Sequence, residues 1–84
     1  MCNRYQCPCC SYFTLSEPPP GTFEICPICY WKDDNVQYAN PNYSFGANRE
    51  SLNQARKNYR DFKGSSRDFL QKVREPFEDE NEKE

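Results

Sequence analysis

The first half of the chain contains short runs of strand-forming residues separated by turn residues. The runs lie at 4–6, 12–15 and 22–25, and the last alternates polar and apolar side chains, as a half-buried strand does. Three consecutive prolines at 18–20 cannot donate backbone hydrogen bonds, so they predict a turn between the second and third runs. This order predicts a small three-stranded antiparallel sheet over residues 4–30.

Residues 31–47 lack a regular period and contain Asn40-Pro41-Asn42 and Gly46. These residue types favour turns, so the segment is predicted to be a loop. Its aromatic side chains are expected to hold the loop against the body of the domain. They are Tyr38, Tyr43 and Phe45.

The second half of the chain changes to a helical period. Apolar side chains recur three or four residues apart, which predicts a first helix over about 49–63 and a second over about 66–75. Ser51 begins a capping box, Gly64 is expected at the end of the first helix, and Pro76 stops the second. The apolar positions are Leu52, Ala55, Tyr59 and Phe62 in the first helix and Phe69, Leu70 and Val73 in the second.

Composition limits the stability of these elements. Only 36% of the 84 residues are apolar, so a small core needs an additional stabilising element.

Charge is unevenly distributed along the chain. Residues 1–48 hold two basic and four acidic side chains, a net charge of −2. Residues 49–74 hold eight basic and three acidic side chains (+5), and residues 75–84 hold one basic and six acidic side chains (−5). Residues 78–84 are predicted to be a disordered acidic tail, and residues 1–77 to form one domain.

Two cysteine pairs of identical spacing supply the stabilising element. Cys7 and Cys10 enclose Pro-Cys, Cys26 and Cys29 enclose Pro-Ile, and residues 11–25 separate the pairs. We call each Cys-Pro-x-Cys turn a knuckle; two knuckles supply four thiolates, the ligand set of a structural tetrahedral zinc site. Structural zinc contributes about 10–16 kcal/mol of apparent binding energy in finger peptides, comparable with the whole stability of a domain. The sequence therefore predicts one Zn²⁺ per chain, bound by these four cysteines.

Three other chemistries compete with structural zinc. Six cysteines in a short chain could form disulfides, but the N-terminus does not resemble a signal peptide and tight pairing is typical of metal sites, which favours a reducing cytoplasm. Rubredoxins hold iron between similar turns, so an iron electron carrier is an alternative. Catalysis is disfavoured because four cysteines would fill the coordination shell of the metal and the chain has no histidine.

No stretch of the sequence is apolar enough to predict a membrane-spanning helix.

Other reactive side chains also have structural interpretations. Asp33 and Asp34 are adjacent and could share acid–base chemistry, but a turn that pairs with an arginine or caps a helix is preferred. Trp31 is expected in the core. Cys9 is either a spacer in the first knuckle or a redox-active thiol whose oxidation ejects the metal, and Cys2 is expected to be a free thiol.

Basic side chains are concentrated on one side of the first predicted helix. At about 100° per residue they fall within a sector of roughly 60° beside the apolar stripe. They form either a solvated flank or an anion-binding surface, so a nucleic-acid-binding zinc ribbon is a second alternative, although the net charge is negative. These side chains are Arg49, Arg56, Arg60 and Lys63.

Several motifs extend beyond the cysteines. They are Cys-Pro-Cys-Cys at 7–10, Glu17-Pro18-Pro19-Pro20-Gly21-Thr22, Glu24-Ile25-Cys26-Pro27, Trp31 with Asp33-Asp34, Gly46-Ala47-Asn48, and Ser51-Leu52 with Ala55-Arg56. Together they resemble the cysteine-rich CPCC family, a small and mainly bacterial group without an established biochemical function. The resemblance runs from about Tyr5 to Glu75 and implies a metal-binding cysteine-rich domain and no reaction. Members usually have glycine where this chain has Ser11, so a left-handed backbone there would be mildly strained.

The expected architecture is an α+β domain of the zinc-ribbon or rubredoxin-like type. It consists of a three-stranded antiparallel knuckle sheet followed by two C-terminal helices. The expected function is that of a structural zinc-binding module that mediates interaction with a partner protein. The sequence indicates neither the identity of that partner nor an oligomeric state.

Overall fold

The computed structural model describes residues 4–76. Residues 1–3 and 77–84 lie outside the described residues, and with them Cys2 and the predicted acidic tail. The elements in chain order are β1 (Tyr5–Gln6), β2 (Phe13–Leu15), α1 (Asn35–Ala39), α2 (Leu52–Phe62) and a 3₁₀ turn (Arg67–Phe69). The chain therefore forms a small α+β fold, as the sequence predicts.

β1 and β2 form a two-stranded antiparallel sheet that encloses the first knuckle. Tyr5 lies opposite Leu15 and Gln6 opposite Phe13, with a register irregularity between Tyr5 and Gln6. Leu15 is buried, whereas Tyr5 is exposed. The two strands therefore differ in burial: β2 reaches the core through Leu15, while β1 is exposed.

The predicted third strand over residues 22–25 is not confirmed, because the sheet of the described residues has two strands. Phe23 has a φ of 58°, and a left-handed residue interrupts the extended run that a strand requires. The segment pairs instead with the chain after the second knuckle, through a bridge between Ile25 and Lys32 and through backbone hydrogen bonds of Phe23 and Glu24 with Asp33, both at 2.9 Å. The Cys26 N–H donates to the carbonyl of Trp31 at 3.0 Å on the same ladder.

The segment 31–47, predicted to be a loop, contains the helix α1. Asp34 has an extended backbone, and its carboxylate accepts the N–H of Val36 at 2.8 Å, as an N-cap residue does. The helix has five residues and ends at Ala39, with Asn40 as its C-cap. Five residues are too few to produce a recognisable apolar period, which is why the pattern predicts a loop.

Aromatic residues do not anchor this segment. The exposed fractions are 44% for Tyr38, 49% for Tyr43 and 77% for Phe45. The anchor is Gln37, whose buried amide nitrogen lies 2.9–3.0 Å from the carbonyl oxygens of Tyr43, Asn48 and Glu50. Its Oε1 accepts the backbone and side-chain N–H groups of Asn48 at 3.1 and 3.0 Å. One buried polar side chain therefore does what the sequence assigned to three aromatic ones.

α2 begins where the sequence places its cap. The Ser51 hydroxyl accepts the N–H of Gln54 at 3.1 Å, which confirms Ser51 as the N-cap and starts the helix at Leu52, later than the predicted 49. The side chain of Gln54 donates to Oδ1 of Asn58 at 2.8 Å, so the reciprocal half of the predicted capping box is not confirmed. Leu52 and Ala55 are fully buried, while Tyr59 is partly buried. The apolar stripe of this helix therefore faces the core from its first turn.

The end of α2 differs from the prediction. Lys63, with a φ of 70°, is the left-handed cap, and its N–H donates to the carbonyl of Tyr59 at 2.8 Å. Gly64 follows the cap and is buried. A Cβ at Gly64 would lie 2.9 Å from Cδ2 of Leu70, so a larger residue there would displace the end of the Leu70 side chain.

The predicted helix over 66–75 is replaced by a single 3₁₀ turn. Ser66 caps it by accepting the N–H of Asp68 at 3.3 Å. The Arg74 N–H then donates to the carbonyl of Pro27 at 3.2 Å, which draws the chain onto the second knuckle and away from a helical path. Leu70 is 38% exposed, so the predicted inner face is only partly buried.

Cysteine sulfurs make up much of the core. Tyr12 and Tyr59 pack against its edge with their ring centroids 6.3 Å apart. Trp31 is buried, as predicted. The buried cluster consists of Cys7, Cys9, Cys10, Cys26, Ile28, Cys29, Trp31, Leu52 and Ala55. Because few of these side chains are large hydrocarbons, the apolar contacts alone provide limited stabilisation.

Candidate metal centre

The two knuckles have the same backbone construction. In the first, the N–H of Ser11 donates to the carbonyl of Cys7 at 2.9 Å; in the second, the N–H of Tyr30 donates to that of Cys26 at 2.7 Å. Ser11 and Tyr30 both have positive φ, at 73° and 69°. Each turn therefore has a left-handed residue directly after its second cysteine. The family resemblance predicts this backbone conformation for Ser11, but nothing in the sequence predicts it for Tyr30.

Each knuckle also directs a backbone donor at a sulfur. The N–H of Cys9 lies 3.4 Å from Sγ of Cys7, and the N–H of Ile28 lies 3.4 Å from Sγ of Cys26. The residue between cysteine and donor is proline in both turns, which fixes φ and removes a competing N–H. These bonds stabilise negative charge on the two sulfurs.

Four cysteine sulfurs converge in the core. Sγ of Cys7 lies 3.6 Å from that of Cys29, Sγ of Cys10 lies 3.7 Å from that of Cys26, and all four sulfurs lie within 4.8 Å of one another. A zinc ion with tetrahedral Zn–S bonds of about 2.3 Å needs sulfurs about 3.8 Å apart. The donor set and the spacing therefore fit a tetrahedral metal ion. The five cysteines within residues 4–76 form no disulfide.

A hydroxyl group adds a further donor to this cluster. Thr14 Oγ1 donates to Sγ of Cys26 at 3.1 Å. Hydrogen bonding with Cys10, supplemented by the Thr14 hydroxyl, lowers the pKa of the Cys26 thiol, and the same contact with Cys26 raises the pKa of Cys10. Burial raises the pKa of Cys29. The Cys26 sulfur therefore accepts hydrogen bonds from both the Thr14 hydroxyl and the Ile28 N–H.

The C-terminal half of the chain holds both knuckles in place. Nε of Arg56 on α2 donates to the carbonyl of Pro8 at 2.9 Å, and the N–H of Ser65 donates to the carbonyl of Cys29 at 2.8 Å. Burial raises the pKa of Tyr59, whose ring packs against the cysteine core. Contacts with the helical half of the chain thus complete the support of the sulfur cluster.

Cys9 lies in the core but not among the four converging sulfurs. It is 6% exposed, and its backbone N–H donates to Cys7, whereas the group of sulfurs that could hold a metal ion comprises the other four cysteines of the described chain. The predicted alternatives for Cys9, a spacer or a redox-active thiol, both stay predictions. Its burial requires any oxidant that reaches it to be small.

The four basic side chains predicted to lie on one side of the first helix do not form a single surface. Arg49 forms ion pairs with Asp68 at 2.7 Å and Glu50 at 3.2 Å. Arg56 is bound to the first knuckle, while the ammonium of Lys63 lies 5.5 Å from the centroid of the Tyr59 ring. The fourth side chain, Arg60, is exposed and forms no hydrogen bond or ion pair within residues 4–76. Arg56, Arg60 and Lys63 therefore remain together on one side of α2, apart from Arg49.

Asp33 and Asp34 are buried structural residues. Oδ2 of Asp33 accepts both the N–H and the hydroxyl of Thr22, at 3.0 and 2.9 Å, and Asp34 caps α1 while accepting the N–H of Ala47 at 2.8 Å. The predicted ion pair with an arginine is therefore wrong, and the alternative of a helix cap is confirmed for Asp34. Oδ1 of Asp33 has no hydrogen-bond partner within the described residues.

Comparison with known proteins identifies the chain. The family model described as cysteine-rich CPCC matches residues 5–80. The chain belongs to the cysteine-rich CPCC family. Within this CPCC domain the match begins in β1 and covers both knuckles, α1 and α2, so the sulfur cluster lies inside the part that defines the family. The comparison with curated proteins gives no match. Within residues 4–76, no helix of the CPCC domain has the length and apolarity needed to cross a membrane.

Proposed function

We propose that this CPCC domain is a structural zinc-binding module that mediates interaction with a partner protein. The observation that carries the proposal is the convergence of four buried sulfurs from two equivalent knuckles, with separations of 3.6 and 3.7 Å across two of the pairs. Cys7, Cys10, Cys26 and Cys29 would hold one Zn²⁺ per chain. The metal would supply the crosslink that a small core lacks.

A closed set of four sulfurs supports a structural role over a catalytic one. Catalytic zinc sites keep a position for water and typically use three protein ligands, whereas this cluster offers four. The chain contains no histidine to act as a general base. We therefore infer that the domain is not an enzyme, and we place it in the cytoplasm, where a reducing environment keeps the thiolates available for metal.

Iron is the alternative metal, because tetrahedral sulfur sites accept it too. The same N–H···S bonds from Cys9 and Ile28 would stabilise either ion. Electron transfer would make the protein coloured and redox-active, which a zinc module is not. Elemental analysis and visible absorption therefore separate an interaction module from a rubredoxin-like carrier.

The test is the metal content of three proteins purified under reducing conditions: the native chain, Cys26→Ser and Cys9→Ser. We expect one zinc per native chain and no visible absorption band, with zinc lost from Cys26→Ser but retained in Cys9→Ser. If the purified native chain is red and contains iron, the electron-carrier alternative replaces the zinc-binding module. Full metal occupancy in Cys26→Ser would contradict the ligand assignment.

A further inference from the structure

A groove with a volume of about 390 Å³ lies between α2 and the segment that follows the 3₁₀ turn. Tyr59, Phe62, Leu70 and Val73 contribute its apolar lining. Leu70 is 38% exposed, and the other three side chains are only partly buried. The groove is large enough for one bulky apolar side chain, and it lies directly beside the cysteine core through Tyr59.

Positive charge borders the groove on the α2 side. Lys63 lines it there, Arg74 lines it from the segment after the 3₁₀ turn, and Arg60 precedes Lys63 by three residues on the same side of the helix. Arg60 forms no hydrogen bond or ion pair within residues 4–76. The surface therefore combines an apolar slot with a short row of cations.

We propose that this groove docks an acidic segment of a partner protein that carries one bulky apolar side chain. The inference rests on the proposed function as an interaction module, for which it names a surface and a partner chemistry. The apolar side chain would fill the groove, and the acidic residues beside it would pair with Lys63 and Arg60. The proposal thus depends on charge complementarity around an apolar slot.

The observations favour an acidic peptide over a nucleic acid. Two of the side chains that line the groove are cations, Lys63 and Arg74, and one is the acid Glu75, whereas nucleic-acid surfaces present extended basic patches. The chain as a whole carries a net charge of −2, so attraction for an acidic ligand is confined to the cations beside the groove. A short peptide anchored by an apolar side chain can stay beside those cations, whereas an extended strand of phosphates cannot.

A binding experiment with a defined probe tests the proposal. The probe is a fluorescein-labelled peptide, Pro-Phe-Glu-Asp-Glu-Asn-Glu-Lys-Glu, which has the sequence of residues 76–84 and the required chemistry. Because the chain carries this sequence itself, anisotropy is measured with the native chain and with a full-length variant in which Glu78, Asp79 and Glu80 are replaced by Gln, Asn and Gln. We expect both to bind at low salt, the variant at least as tightly, and binding to weaken as salt rises.

Variants of the chain and of the probe separate the contribution of the cations to peptide binding from that of the apolar side chain. Neutralising Arg60 and Lys63 to Gln should weaken binding roughly five- to tenfold, since two exposed ion pairs are lost. The matched double change of Lys32 and Lys57 to Gln should leave it unchanged. A probe with Ala in place of Phe should bind at least about tenfold more weakly.

Three results would overturn the docking proposal. They are no binding of the probe by either full-length chain at low salt, equal weakening by the two double variants, and tighter binding of a single-stranded oligonucleotide of the same charge than of the peptide. Zinc is quantified on the same samples. Full zinc content without peptide binding removes the docking surface alone, whereas metal-free folded protein removes the proposed function itself.

Discussion

Ser11 and Tyr30 occupy equivalent places, each directly after the second cysteine of its knuckle and each with a left-handed backbone, at φ of 73° and 69°. Their surroundings differ. Ser11 is exposed, whereas the ring of Tyr30 packs on that of Phe69 with centroids 4.7 Å apart. The second knuckle therefore offsets its backbone strain with an aromatic contact that the first does not have.

Glycine substitution at each position tests whether a side-chain contact offsets the strain of the left-handed backbone. Ser11→Gly should raise the free energy of unfolding by about 0.5–1 kcal/mol, because the relief of left-handed strain exceeds the added backbone entropy of the unfolded chain. Tyr30→Gly should lower it, because the contact with Phe69 is lost along with the strain. Urea unfolding with metal bound measures both changes. Destabilisation by Ser11→Gly would show that the serine turn is not strained.

The hydroxyl of Thr14 should contribute to metal affinity. Thr14→Val keeps the shape of the side chain but removes the donor that lies 3.1 Å from Sγ of Cys26. Loss of one hydrogen bond to a ligand sulfur should weaken zinc binding about tenfold. Competition with a chromophoric chelator measures the affinity. Thr22→Val, which removes a hydroxyl bound to Asp33, is the matched control, and equal affinities in the two variants would refute the role of Thr14.

The Gln37 amide should be a major source of stability outside the metal centre. Gln37→Leu leaves the carbonyl oxygens of Tyr43, Asn48 and Glu50 without this donor inside the domain. We expect a loss of roughly 3 kcal/mol or more in the free energy of unfolding, since each unsatisfied buried group costs about 1–3 kcal/mol. Gln54→Leu, on the exposed side of α2, should have little effect. A loss below that of the control would show that the network is dispensable.

Cys9 offers a test of redox sensitivity. If its thiol is redox-active, dilute hydrogen peroxide should release zinc much faster from the native chain than from Cys9→Ser, because Cys9 lies in the same buried cluster as the four ligands. A zinc-responsive dye follows the release. Equal rates in the two proteins would assign Cys9 to a spacer role, with the ligand sulfurs themselves as the sites of oxidation.

Local signals in the sequence predict much of the candidate site. The Cys-Pro-x-Cys spacing identifies the four sulfurs that converge, because both cysteines of each pair lie within one turn. The Ser51 cap is predictable for the same reason, since the hydroxyl and the Gln54 N–H that it accepts lie within four residues. The burial of Trp31 follows from its size and its position two residues after a ligand.

The remaining features depend on contacts between distant residues. The sequence predicts Gln37 to be a polar loop residue, and only the convergence of three carbonyl groups shows its role. The sequence predicts a strand over residues 22–25, but the left-handed conformation of Phe23 depends on the path of the chain after the second knuckle. The bond from Arg74 to Pro27, which replaces a predicted helix, joins residues 47 positions apart. A single sequence has no local signal for such pairings.

The central claim is that one metal ion, held by four cysteines, keeps this domain folded. The near-UV circular dichroism of buried Trp31 reports tertiary packing, so we would record it in reducing buffer while a chelator removes zinc. The account predicts that the signal disappears in proportion to the zinc released and returns when zinc is restored. A metal-free chain that keeps the complete near-UV spectrum would contradict it.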